Sequence, residues 1–147
     1  MVENVVHNGE VLAIIVRKDF REPGIRFFTP YDFSQQLAYM RHPAGKVILP
    51  HRHNTVPREV RFTQEVLFIL KGVLRVDLYD DKEYYLQSRT LEGGDAIILA
   101  AGGHGFHVIE EVEIFEVKQG PYVGEADKTR FNGVRSDRDV AVRDHPK

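Results

Sequence analysis

The chain has 147 residues, 20 basic side chains against 22 acidic ones, and no cysteine. That length fits one domain. The net charge of −2 lacks the basic footprint of a nucleic-acid binder, and the missing cysteine excludes a disulfide framework, a thiolate metal site and a cysteine nucleophile.

The chain opens without the basic start and apolar stretch of a secretory signal. The longest purely apolar runs, Val11–Val16 and Ala96–Ala101, fall far short of the ~20 residues of a membrane helix. A cytoplasmic protein with neither nucleic acid nor membrane as partner is therefore expected. Short β-branched and aromatic bursts punctuated by turn residues predict strands at Val11–Val16, Gly45–His53, Glu65–Leu70, Val73–Tyr79, Ala96–Leu99, Gly105–Ile109 and Val112–Val117. Turns are expected at Lys71-Gly72, at Asp80-Asp81-Lys82 and at Gly93-Gly94-Asp95. The stretch Asp32–Met40 reads equally as a turn of helix or, over Leu37–His42, as a strand. The pattern as a whole predicts an all-β sandwich or barrel over residues 1–123. From Gly124 the composition turns polar and charged, and residues 124–147 read first as a solvated or loosely docked tail. The sharper alternative is an arm packed on a partner subunit or over a pocket mouth.

Three stretches carry the chemistry. In Lys46–His53 (KVILPHRH), strand alternation puts Val47, Leu49, His51 and His53 on one face, so an apolar face ends in two imidazoles. Glu65 heads an apolar run and shares a face with Leu67 and Ile69; a carboxylate there is costly to bury unless paired, hydrogen-bonded or metal-bound. In residues 93–108 a Gly-Gly-Asp turn leads through an apolar strand and a Gly102-Gly103 turn to His104, Phe106 and Val108 on one face, with His107 opposite.

Together these stretches resemble the two motifs of the cupin superfamily. Gly45, five residues, His51-Arg52-His53, then Glu65, six residues and Gly72 match the first motif. Gly94-Asp95, the run 96–99, Gly102 and His104-Gly105-Phe106 match the second. The resemblance spans roughly residues 37–118. It departs from the family in three ways: eleven residues separate His53 from Glu65 where three or four are usual, Ala100 replaces a proline, and His104 comes one residue early. Residues 54–63 accordingly read as an enlarged loop. Glu59 is the rival of Glu65 and His107 the rival of His104.

The resemblance implies a cupin jelly roll holding one divalent transition metal through His51, His53, Glu65 and His104. Imidazoles with one carboxylate suit Fe, Mn, Ni, Co or Zn without choosing among them. It further implies an interior chamber lined by Val47, Leu49, Leu67, Ile69 and Phe106, and a homodimer formed through Val11–Val16 or the tail. The expected activity is that of a metal-dependent enzyme, of isomerase or epimerase type or of dioxygenase type, on a small polar or anionic metabolite. The alternative is a metal-containing cupin without turnover, binding a metabolite or purely structural. No organic cofactor is expected and the catalytic residues stay open. Tyr39, Arg41, Arg58, Arg61 and Phe106 are candidate substrate contacts, since arginine grips carboxylate or phosphate through paired hydrogen bonds. Lys118, Tyr122, Lys128 and Arg130 lie close after the second motif and could serve the same end, although ordinary surface charge explains each singly. His7, His42 and His145 are given no role.

Overall fold

A computed structural model describes residues 1–144; His145 and the two residues after it lie outside the described residues. The strands are β1 (Val2–His7), β2 (Glu10–Val16), β3 (Gly24–Phe27), β4 (Ala38–Arg41), β5 (Glu65–Tyr79), β6 (Tyr85–Glu92), β7 (Ala96–Leu99) and β8 (Gly103–Lys118). Two short 3-10 turns, Gly124–Asp127 and Asp137–Asp139, follow. Among the described residues no helix is long and apolar enough to cross a membrane.

The architecture is all-β, and its six-stranded sheet curls strongly into a half-barrel. Every pairing in it is antiparallel, in the order β1-β2-β7-β5-β6, with β8 along the other side of β5. β5 organises the sheet. Its first half pairs with β7 and its second half with β6, while β8 runs beside both halves. Among the described residues the far edge of β8 pairs with nothing. The small β3–β4 ribbon stands apart.

The expected Lys71-Gly72 turn is instead a corner inside one continuous strand. Register shifts cluster between Ile69 and Leu74, and Gly72 takes φ +86°. A Cβ at Gly72 would stand 2.0 Å from the Glu111 carbonyl oxygen, so only glycine lets β5 and β8 bend together here. The runs predicted as separate strands on either side of residues 71–72 and of residues 110–111 are thus the halves of β5 and β8.

The inner face is apolar. Leu67, Ile69, Leu74, Val76 and Leu78 of β5 pack with Leu12, Ala13 and Ile15 of β2 and with Ile97 and Leu99 of β7. A second cluster, Ile14, Val16, Leu37, Val66 and Ile98, backs the opposite face under Phe20, Phe28 and Phe33. β2 is therefore buried on both sides, which explains its unbroken apolar run. The Gly93-Gly94-Asp95 turn joins β6 to β7. The buried Asp95 carboxylate accepts from the backbone N–H groups of Lys18 and Glu92 and from Arg17, tying the corner to the end of β2.

Several expectations fail on local grounds. Residues 45–53 form no strand; from 47 to 62 the chain makes no backbone–backbone hydrogen bond among the described residues. An apolar alternation becomes a strand only beside a partner edge, and Pro43, Pro50 and Pro57 remove donors along this stretch. Of the expected chamber lining, Leu67 and Ile69 are buried, but Val47 is 72% exposed, Leu49 78% and Phe106 47%. Of the two readings of Asp32–Met40 the strand holds, as β4 over Ala38–Arg41, and no helix forms. Val11–Val16, within β2, pairs with β1 and β7 of the same chain.

The segment after Gly124 is docked along its described length. Tyr79 accepts from the Val134 backbone N–H, and Phe131 packs edge-on against its ring. Ser88 exchanges backbone hydrogen bonds with Ala141 and Arg143, and Arg75 donates to Asp137.

Candidate functional site

The mouth of the half-barrel holds a cavity of about 740 Å³. One wall is the start of β5 together with the link from β7 into β8, and the other is the docked arm over residues 123–133. Glu65 and His104 both line it.

Glu65 enters from the first residue of β5, where the pleat aims it inward with Leu67 and Ile69. His104 enters from the second residue of β8, just past the Gly102 turn. Its Nε2 stands 3.2 Å from Glu65 Oε2. On the other carboxylate oxygen the Lys118 ammonium lies 3.8 Å away, placed by the cross-strand pairing of Glu65 with Lys118. The Glu65 side chain is 13% exposed. Hydrogen bonding to His104 holds its carboxyl below the ordinary range; burial pulls the other way, and the charges of His104, Lys118 and Lys128 lower it further.

His51 and His53 sit elsewhere. Their rings meet edge-on with centroids 5.4 Å apart, both exposed, on the irregular segment before β5. His51 Nδ1 lies 3.1 Å from the Leu49 carbonyl oxygen. The four predicted ligands thus stand as two separate pairs. Their donor chemistry suits a divalent transition ion, but the arrangement does not complete a site. Among the described residues no three or more His, Asp or Glu side chains are grouped to hold an ion.

The rivals are placed away from the cavity. Glu59 is exposed and pairs with Arg61 at 3.3 Å; His107 is exposed on β8 opposite Arg75. Of the candidate substrate contacts, Arg61 lines the cavity. Tyr39 instead packs edge-on against Phe20, and Arg41 and Arg58 are exposed outside the lining. Phe106 lies beside His104, centroids 5.3 Å apart, on the exposed part of β8.

Sequence reasoning left the arm's part open. Thr63 donates to Asp127 across the cavity rim, and Lys128, Thr129 and Arg130 line the wall. An arm over a pocket mouth was one of the two readings of this segment, but composition could not point to its anchor, a tyrosine 55 residues upstream of the backbone N–H it accepts from. Compared with known proteins, the chain matches no family model, no curated protein and no solved structure.

Proposed function

We propose that this protein is a cupin-type jelly roll that binds one divalent transition metal and acts as a metal-dependent enzyme, of isomerase, epimerase or dioxygenase type, on a small polar or anionic metabolite. The observation that carries the reading is the Glu65–His104 pair: two potential ligands from remote strands meet in a cavity of metabolite size, flanked by Lys118 and Lys128. His51 and His53 complete the set when residues 45–53 fold against the cavity, and the free edge of β8 offers that run a place to pair. The run and the edge are complementary in charge. Residues 42–64 carry Lys46, Arg52, Arg58 and Arg61 against Glu59, whereas β8 carries Glu110, Glu111, Glu113 and Glu116 against Lys118.

The chain's own groups have defined tasks in this reading. Glu65, held ionised, accepts a hydrogen bond from His104 Nε2 and so fixes the ring. A nitrogen bearing a hydrogen cannot ligate, so an ion held through Nε2 would require the ring's hydrogen to sit on Nδ1. The ion, once held, supplies Lewis acidity.

The test is a cobalt(II) titration of chelator-treated protein, followed by visible absorption and calorimetry. One ion per chain is expected, with affinity at least tenfold weaker in both His51→Ala/His53→Ala and Glu65→Gln. Cobalt binding that is absent in the wild type, or unchanged in both variants, would overturn the reading.

A further inference from the structure

The arm raises a question that the metal reading leaves unanswered: why a polar segment is fastened over the cavity mouth at both ends. Asp127 is held by Thr63, and Phe131 and Val134 are held by Tyr79. Between these anchors the arm presents Lys128 and Arg130 to the cavity. Arg130 is already neutralised by Glu125, and Arg61 on the facing rim by Glu59. Lys128 is different: it makes no salt bridge among the described residues, yet it is near enough for its charge to act on Glu65. Its charge acts on Glu65 and Glu125 without a salt bridge to either, so an ammonium in the cavity wall is left able to attract an anion.

We propose that the arm is the anion-recognition half of this cavity, with Lys128 receiving a carboxylate or phosphate group of the ligand across from Glu65 and His104. This deepens the proposed function and assumes the same cavity, but it does not depend on a bound metal. Lys128 is a positioning residue here. It holds the charged end of the ligand, so that the ligand's remaining atoms lie toward the Glu65–His104 pair.

Lys128 is exposed, so replacing it does not disturb the core. The test is calorimetric titration of the full chain with inorganic phosphate and, separately, with malonate, at constant ionic strength set by chloride. Saturable one-site binding of at least one anion is expected. Lys128→Met should weaken it about tenfold, the loss of one charge-assisted hydrogen bond, while Lys128→Arg stays within about threefold of wild type. Whichever anion binds more tightly identifies the ligand group. Anion affinity unchanged in Lys128→Met, or no saturable binding of either anion to the wild type, overturns the proposal. Cobalt titration of the same variants separates the two readings. Lys128→Met should keep wild-type cobalt affinity, and His51→Ala/His53→Ala should keep wild-type anion affinity.

Discussion

His104 Nε2 lies 3.2 Å from Glu65 Oε2, although the register partner of His104 is Leu78, thirteen residues along β5 from Glu65. On a straight strand that separation is about 40 Å. The contact therefore exists only because the β5–β8 ribbon turns back on itself, and the site depends on the corner that makes it do so.

Gly72 is that corner. Gly72→Ala would combine a left-handed backbone with a Cβ 2.0 Å from the Glu111 carbonyl oxygen. We expect a loss of at least about 2 kcal/mol in urea unfolding, together with loss of the Glu65–His104 contact read from the His104 ring signals by NMR. A variant as stable as the wild type would show that the strand can bend without glycine.

Glu65 makes stability depend on pH in a defined direction. Its folded pKa is lowered, first by hydrogen bonding to His104, so its contribution is fully present above the unfolded carboxylate value and is lost as pH falls through the folded one. Glu65→Gln should be less stable than the wild type at pH 7, and the gap should close on acidification below about pH 4. Denaturant midpoints between pH 3 and 7 measure this; parallel curves for the two proteins would contradict it.

The Asp95 carboxylate is buried and satisfies two backbone N–H groups and Arg17. Asp95→Ala removes the acceptor of the Lys18 and Glu92 backbone N–H groups, while Arg17 keeps Glu3 and the Thr90 carbonyl. The expected cost is about 2–3 kcal/mol for the unsatisfied buried donors, with Asp95→Asn in between because its side-chain oxygen still accepts. Thermal unfolding of both variants tests the ranking.

The segment over residues 43–62 is exposed and carries Lys46, Arg52, Arg58 and Arg61. Trypsin should cut there first in chelator-treated protein. If His51 and His53 join the ion, saturating cobalt should slow those cuts about tenfold or more, since a bound ligand lowers the open population by mass action. Cleavage at the same rate with and without cobalt would place the segment outside the site.

The fold was legible wherever a strand's own pattern sufficed. The apolar runs of β2 and β7 are found where they were expected, as is the sharing of one face by Glu65, Leu67 and Ile69. β1 went unnoticed although Asn8-Gly9, with φ of 50° and 82°, is a strong short-range hairpin signal. β6 was missed because Gln87, Ser88, Arg89 and Thr90 look like loop residues. Ser88 is fully buried because its hydroxyl reaches Asp77 and the tail covers its backbone. Within the candidate site, Glu65 and His104 were expected near one another only through the family resemblance, and they do lie together. The exposure of His51 and His53 was not expected, because strand alternation describes a run only once it has a neighbour to pair with. The arm was the least legible part: it is held by scattered contacts to Tyr79, Tyr85, Thr63, Ser88 and Arg75, and no periodicity announces those.

The unpaired side of β8 bears on how this protein behaves in concentrated solution. A sixteen-residue strand with one open edge is a template on which other chains can grow. Glu110, Glu111, Glu113 and Glu116 line this one, so two copies zipping together antiparallel would set carboxylate against carboxylate. That repulsion between like charges guards an edge whose backbone would otherwise invite a neighbour to pair.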